Sequence, residues 1–563
     1  MRSALALFLL AGGTAMTAFA DEGMWLPNDP PREILKQKYK FDLTDAWLER
    51  AMHGSVRFNN GGSGGFVSPR GLIVTNHHIA ADALQKLSTP GKDLFRDGFV
   101  AATPADELKC PDLELNVLQR IEDVTDQVAA AVTPGMKPSE AAAARRGAMA
   151  KLEKDSLDAT GLRSDVVTLY NGGAYHLYRY KKYTDVRLVF APEAGIAAFG
   201  GDVDNFEYPR HGLDVSFFRA YENGAPAQVK HYFKWSDVGP AENDLVFVTG
   251  HPGTTQRLET LAKLKHRRDS TLPYTLYRLR TLEAALSQFS EADPEQRRLA
   301  LTDLHRVANA RKAFSGQLQG LLDPKIIEQK MVQEATLAEK LPDDAGRMKG
   351  TEAARTIADA QKTFRTFEKD YYLLERGDAF FSENFAIARH LVRLADELQK
   401  PSAERLREYR DSNLESLKFQ LFSPAPISPE LERVKLATSL TFLAENLGGE
   451  HPTVKTVLAG TNPANNAAEI VAGTKLANVD ERKKLFDGGK TAIAASTDPM
   501  IQLAKSVDAE ARKLRKRYED EVEEPERQAY AELAKLRFLA LGITVAPDAT
   551  FTLRLAFGTA KGY

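Results

Sequence analysis

The chain has 563 residues, of which 43% are hydrophobic and 27% charged, and its formal net charge is −2. This balance gives no electrostatic reason to expect nucleic acid or an anionic membrane surface as a partner. The length allows three or four domain-sized units. Cys110 is the single cysteine in the sequence, so no disulfide can form within this chain and its stability must come from a buried core.

Residues 1–20 have the pattern of a secretory signal peptide. Arg2 supplies the positive charge, residues 4–11 form a short apolar core, and Ala18-Phe19-Ala20 is an A-x-A cleavage site. The apolar run is too short to span a bilayer, and no other stretch reaches that length. The sequence therefore predicts a mature protein that begins at Asp21, lacks a membrane span and is periplasmic or secreted.

Residues 21–260 read mainly as strands and turns. Hydrophobic residues alternate with polar ones at Val186, Leu188 and Phe190, as on a half-buried strand. Asn171-Gly172-Gly173 lies between two apolar runs and predicts a hairpin. We expect one helical interruption, over residues 141–154.

A short apolar run in this region, Leu72–Val74, leads through Thr75-Asn76 into His77 and His78. Its length and branching predict a buried strand. A histidine at the end of such a strand is a group that titrates near neutral pH, held on a rigid edge. The pair is therefore a candidate for chemistry.

Two groups of acidic residues follow between residues 199 and 221. Asp214 opens the apolar run Val215–Phe218, and a carboxylate there could hold a histidine ring through its Nδ1–H. Asp202 and Asp204 have a spacing found in calcium loops, but the rest of such a loop is missing. We interpret those two as loop caps.

From Leu261 to Leu541 the pattern is helical, with apolar residues three and four positions apart. Breaks at Asp323-Pro324 and at residues 423–426 separate helices. A strand pattern returns over residues 551–557, where Phe551, Leu553, Leu555 and Phe557 alternate with other side chains. This last strand either completes the first sheet or belongs to an unfinished domain.

Several motifs, in consistent order from about Glu22 to Tyr563, resemble the family-46 bacterial serine peptidases, which include dipeptidyl peptidases 7 and 11. The segments at residues 22–27 and 553–558 are also similar. The motifs that carry the resemblance are Gly71-Leu-Ile-Val-Thr-Asn-His-His78, Phe199-Gly-Gly-Asp-Val-Asp-Asn205, Tyr208-Pro-Arg-His211 and Gly250-His-Pro-Gly-Thr-Thr-Gln-Arg257.

The resemblance implies an α+β fold: a chymotrypsin-like double β-barrel with a large inserted α-helical cap domain, the second barrel being incomplete in this chain. It matches the division that the residue patterns indicate: a signal peptide (1–20), a β-rich peptidase part (21–260), the helical cap (261–541) and a return to the peptidase domain (542–563). It implies a serine-type dipeptidyl peptidase that releases dipeptides from peptides with a free N-terminus. A homodimer is implied as well, and neither a cofactor nor a metal is expected.

The same resemblance assigns roles to individual residues. His78 matches the general base and Asp214 the carboxylate that orients it. Asn205 matches a residue that binds the substrate α-amino group, a task that suits an amide oxygen because it can accept from an ammonium. Phe206 forms an aromatic wall beside it, and Asn309 matches a second amine-binding residue.

Three positions depart from the family pattern. Ile79 stands where the family commonly has Cys, and Phe206 where it commonly has Trp, which loses the indole N–H. The third departure concerns the nucleophile, which in the family lies in a Gly-Asn-Ser-Gly segment downstream of the strand matched by residues 553–557; this chain ends first. Ser63 is flanked by glycines, but it precedes the histidine strand and matches a non-catalytic family segment.

Two other classes of function remain open at this point. A peptide-binding homologue could keep amine capture without catalysis, and the coding sequence beyond Tyr563 would separate it from a peptidase. A metal-dependent hydrolase could use His77, His78 and nearby acids, but no His-Glu-x-x-His spacing supports it. Adjacent histidines on a strand would also point to opposite faces.

Overall fold

The structure is a computed structural model that describes residues 23–197, 206–207, 211–542 and 545–562. Strands and helices alternate in the part before residue 260. Its helices are α1 (Arg32–Tyr39), α2 (Asp45–Gly54), α3 (His77–Leu87), α4 (Leu94–Asp97), α5 (Thr125–Ala129), α6 (Pro138–Thr160) and α7 (Ala194–Ala197). Its strands are β1 (Ser55–Phe58), β2 (Ser63–Phe66), β3 (Leu72–Thr75), β4 (Phe99–Val100), β5 (Leu108–Lys109), β6 (Leu115–Asp123), β7 (Arg163–Leu169), β8 (Ala174–Tyr183), β9 (Asp185–Ala191), β10 (Ser216–Glu222), β11 (Ala225–Pro226) and β12 (Leu245–Gly250).

Eleven of these strands form one antiparallel sheet. Its main order is β4-β9-β10-β3-β2-β1-β6-β8-β7, with β5 beside β9 and β11 beside β10. The predicted hairpin is present, since β7 and β8 pair across residues 170–173. The predicted helical interruption is confirmed as α6, which is longer than the expected 141–154.

One hydrophobic core collects buried side chains from seven strands of this sheet, so the sheet curves around its own interior. The side chains without measurable solvent exposure include Val56, Phe58, Ile73, Leu115, Leu188 and Phe218. Val56 and Phe58 on β1 are two positions apart, as are the fully buried Val186 and Leu188 on β9, which is the period-2 geometry of a strand. Whether this sheet is the first of two closed barrels remains a prediction.

The sequence pattern predicted that the histidine pair ends a strand, and this prediction is wrong. The strand stops at Thr75, Asn76 is extended, and His77 and His78 open helix α3. Ala80, Ala83 and Leu84 are buried on one face of this helix, which is the spacing of an amphipathic helix. The local run Leu72–Val74 correctly predicted the strand, but it carried no signal for the helix that follows.

The chain is helical between Leu261 and Leu541, as predicted, and the described residues of this region include no strand. Its helices are α8 (Leu261–His266), α9 (Leu272–Ser290), α10 (Pro294–Leu322), α11 (Pro324–Glu339), α12 (Asp344–Arg365), α13 (Glu368–Asp370), α14 (Glu383–Glu397), α15 (Asp411–Leu421), α16 (Pro429–Leu447), α17 (Pro452–Leu458), α18 (Pro463–Gly473), α19 (Val479–Ala495), α20 (Pro499–Tyr518) and α21 (Glu524–Leu541). Many begin at a proline, which is pre-organised for the first helical position. Among the helices of the described chain, none is long and apolar enough to cross a membrane.

The strand after the helical region, β13 (Arg554–Thr559), pairs with β12 and not with the eleven-stranded sheet. The register runs from Leu245 opposite Thr559 to Gly250 opposite Arg554. This two-stranded sheet packs its apolar face on α1 and α2, through a cluster that includes Trp25 and Leu35. The chain is therefore a mixed α/β protein with antiparallel sheets, as expected, and the last strand rejoins the part that precedes the helices.

Candidate functional site

Strand pairing places Asp214 next to the start of α3. β3 and β10 run antiparallel, with Ser216 opposite Thr75. Asp214, just before β10, and His78, just after β3, therefore meet at the same end of the strand pair. The Ser216 hydroxyl donates to the carbonyl oxygen of Asn76 at 2.8 Å and helps to hold this junction.

Asp214 contacts both the ring and the backbone of His78. Its Oδ2 lies 2.8 Å from Nδ1 of His78, and its Oδ1 accepts from the His78 backbone N–H at 3.0 Å. The side-chain amide of Asn76 donates to Oδ2 and to the Asp214 carbonyl, each at 3.1 Å. A carboxylate can only accept, so the contact with the ring requires the proton on Nδ1.

The charge of Asp214 is supported by its surroundings. Burial by itself raises the pKa of this carboxyl, but the hydrogen bonds from the ring and backbone of His78 outweigh it, so the pKa lies below its ordinary value. The carboxylate also sits at the N-terminus of α3, where the unpaired amide groups favour negative charge. Asp214 can thus fix the His78 ring and stabilise its imidazolium form.

His77 points away from this pair. It is almost fully buried, and its ring packs against Phe95 with centroids 5.4 Å apart. Burial lowers the pKa of His77, so its neutral form is favoured at neutral pH. The two histidines face different ways, as expected, although the reason is the turn of a helix and not the alternation of a strand.

An open cleft of about 710 Å³ lies between the two sheets, beside Asp214. Gly64, Thr75 and Asp214 line one side. Thr249 and Ala556, on β12 and β13, line the other. The carboxylate that holds His78 therefore borders a space in which a substrate could lie.

Ser63 also lines this cleft, but its hydroxyl is already engaged. Its Oγ accepts from the backbone N–H of His251 at 2.7 Å. The contact ties β2 to the end of β12 and gives Ser63 a structural task, in line with its expected non-catalytic place.

Of the three residues expected at the amine-binding site, the structure describes Phe206 and Asn309. Asn205 lies outside the described residues, as do Asp202 and Asp204. The Phe206 side chain is described and is 59% exposed. Asn309 lies on α10, and the same helix contacts α3, since the Gln85 amide donates to the Leu299 carbonyl at 2.6 Å.

His305 lies one turn before Asn309 on α10. Its ring is 6.1 Å from that of Phe95 on α4, and the Phe95 ring lies 5.4 Å from that of His77. Positions i and i+4 share a helix face, so Asn309 lies on the same face of α10 as His305.

One cleft residue was missed by the sequence reasoning. His251 is buried, and neither of its ring nitrogens has a hydrogen-bond partner among the described residues. Burial and the nearby Arg57 hold its pKa well below the ordinary value. His251 belongs to one of the motifs of the family resemblance, but nothing local indicated that its ring is enclosed.

A histidine held by a carboxylate at a cleft between antiparallel sheets is the arrangement found in hydrolases that use a Ser-His-Asp triad. The family model "Peptidase S46" matches residues 20–563. The chain belongs to peptidase family S46.

The relatives found by comparison are dipeptidyl peptidases. The chain is 27% identical to an "Asp/Glu-specific dipeptidyl-peptidase" of Porphyromonas endodontalis over 99% of its own length and 80% of the relative's. It is 26% identical to a "Dipeptidyl-peptidase 7" of Capnocytophaga gingivalis, with 96% and 78% covered. A crystal structure of Porphyromonas endodontalis DPP11 in complex with the dipeptide Arg-Asp superposes with a TM-score of 0.76 at 26% identity, covering 96% of this chain and 81% of that one.

Proposed function

We propose that this protein is a serine-type dipeptidyl aminopeptidase, which removes dipeptides from the free N-terminus of peptides by acyl transfer. The contact between His78 Nδ1 and Asp214 Oδ2 carries the proposal. With the proton on Nδ1, the lone pair of the neutral ring is on Nε2, where it can take a proton from a serine hydroxyl. The imidazolium that forms is stabilised by Asp214 and later returns the proton to the leaving amine.

The nucleophile of this mechanism is not assigned to any residue of the chain. Ser63 is disfavoured because its Oγ is held by His251 N–H. The family resemblance places the nucleophile downstream of the strand that corresponds to β13. The chain spans about four fifths of the length of the relatives named above.

Amine capture is the second part of the proposal. To release two residues at a time, an enzyme must hold the α-ammonium at a fixed distance from the scissile carbonyl. We assign this task to the amide oxygens of Asn205 and Asn309, with Phe206 as an aromatic wall. The exposure of Phe206 and the position of Asn309 on the face of α10 that carries His305, whose ring lies near Phe95, support this assignment.

The remaining features stay predictions. The fold is proposed to be a chymotrypsin-like double barrel with residues 261–541 as a helical cap over the cleft. The protein is proposed to be exported and to act as a homodimer. The name Asp/Glu-specific states a preference of some relatives for acidic residues. We do not extend this preference to the present chain.

The experiment is a product analysis on matched peptides with free and with acetylated N-termini. It uses the 563-residue chain and, separately, the gene product translated with any coding sequence that follows Tyr563. With the longer product, dipeptides should appear from the free peptides and not from the acetylated ones, and His78→Ala in that product should abolish their release. Peptide binding without cleavage by both proteins would instead identify a non-catalytic peptide-binding homologue.

A further inference from the structure

A group of two histidines and one glutamate lies where the segment after β11 meets helix α2. Glu49 and His53 are four positions apart on this helix and share one face. His231, in the extended segment after β11, approaches them from the other side. One ligand atom from each of the three side chains falls within 4.8 Å of the others.

The spacing within the group fits a common metal ion. Nε2 of His231 lies 3.3 Å from Oε1 of Glu49. In a tetrahedral zinc site, bonds of about 2.0–2.2 Å place neighbouring ligand atoms about 3.3–3.6 Å apart. The ring centroids of His53 and His231 are 5.2 Å apart, and the ligand atoms of all three side chains lie within 4.8 Å of one another.

His53 already has the hydrogen bond that metal-binding histidines commonly make. Its Nε2 lies 3.2 Å from the carbonyl oxygen of Gln119. A carbonyl can only accept, so Nε2 carries the proton and Nδ1 has the lone pair that a metal requires. Such a contact with a backbone carbonyl fixes the tautomer and orientation of a ligand.

A nearby lysine leaves Glu49 available as a ligand. Lys230 competes for Glu49 at 3.8 Å, but its side chain is 81% exposed and can turn into solvent. Two imidazoles and one carboxylate are a donor set that suits Zn²⁺ and leaves a fourth position for water.

We propose that Glu49, His53 and His231 form a Zn²⁺ site that clamps the segment after β11 to helix α2. The segment matters because Phe233, two residues further on, lines the cleft beside Asp214. Its ring covers Gly54 and Gly65, where an added Cβ would lie 3.1 and 3.0 Å from it, and its N–H donates to the Phe66 carbonyl at 2.8 Å. A metal at this position would hold one wall of the cleft in place.

Calorimetric titration of the untagged 563-residue protein with ZnCl₂, after removal of metals by a chelator, tests the site. We expect about one Zn²⁺ per chain, and a loss of affinity of at least about tenfold in His231→Asn and in Glu49→Gln, since each removes one of three ligands. His451→Asn is the matched control, because the histidine that it replaces caps helix α17 and asparagine caps helices well. Circular dichroism checks that each variant is folded.

A second measurement needs no variant. Hydrogen exchange at the Phe233 amide should slow when Zn²⁺ is added to the wild-type protein. No binding of zinc, equal affinity in the wild type and the two ligand variants, or unchanged exchange at Phe233 would each overturn the proposal. Because the site shares no residue with His78 and Asp214, none of these results depends on the proposed peptidase activity.

Discussion

Nδ1 of His78 lies 2.8 Å from Oδ2 of Asp214, although 136 positions separate the two residues in the chain. The antiparallel pairing of β3 with β10 brings them together, and the N-terminus of α3 aims the histidine backbone at the same carboxylate. One acidic side chain thereby orients the ring and caps the helix that carries it. The catalytic and the structural consequences can be measured separately.

The catalytic consequence is tested by Asp214→Asn. An amide in place of the carboxylate can donate to Nδ1 and so stabilise the wrong ring tautomer, and it cannot stabilise the imidazolium. We expect kcat of an active preparation to fall by about 10⁴-fold, the loss that follows this change in the Ser-His-Asp template. Asp42→Asn, which changes an exposed carboxyl, serves as the control, and a variant Asp214→Asn that keeps most of its activity would remove Asp214 from the mechanism.

The structural consequence is a pH dependence of stability. The pKa of Asp214 in the folded protein is below its ordinary value: burial opposes this shift, and the hydrogen bonds from His78 outweigh burial. Its contribution to the free energy of unfolding is therefore present above the unfolded pKa of about 3.9 and is lost as the pH falls through the folded pKa. Urea unfolding of the wild type and Asp214→Asn should show a stability difference near pH 7 that shrinks below about pH 4. A difference that is constant across this range would contradict the assigned pKa shift.

Amine capture predicts a substrate-dependent effect of Asn205→Ala. Loss of a buried hydrogen bond to a charged group costs about 1.5–3 kcal/mol, which is roughly a 10- to 150-fold change in binding. Values of kcat/KM for peptides with a free N-terminus should fall by that order, whereas acetylated peptides should be poor substrates already and lose little more. If Asn205 merely caps a loop, both kinds of peptide should be affected alike and the protein should be less stable.

Substitution by alanine should have opposite effects at two glycines, one closely packed beside the cleft and one with open space around it. A Cβ at Gly64, on β2, would lie 2.8 Å from both the Phe58 ring and the Val74 carbonyl oxygen, so Gly64→Ala should destabilise the protein by about 1–3 kcal/mol. Gly147 lies within α6, where an added Cβ meets no atom within 4 Å. Gly147→Ala should therefore stabilise the protein by about 0.5–1 kcal/mol through its higher helix propensity. Denaturant unfolding measures both, and equal effects would show that the packing at Gly64 is less tight than described.

Local patterns were sufficient for much of the fold. Apolar spacing of three and four positions predicted a helical region from Leu261 to Leu541, and the structure has helices at both of these ends. The turn residues 171–173 predicted the hairpin of β7 and β8. The motifs at residues 71–78, 199–205, 208–211 and 250–257 were also enough to identify the family, because each is a pattern of consecutive residues.

Three features were decided only by the tertiary structure, because they depend on pairing between distant segments. The N-terminus of the helix that starts at His77 is capped by Asp214, which accepts the His78 backbone N–H from 136 positions away. β13 pairs with β12 across the whole helical region, a choice between sheets that the alternation of residues 551–557 does not encode. Glu49 and His53 come near His231 only because the segment after β11 folds back over α2. Periodicity determines which face of an element is buried, whereas the register between elements is set by the packing of the complete chain.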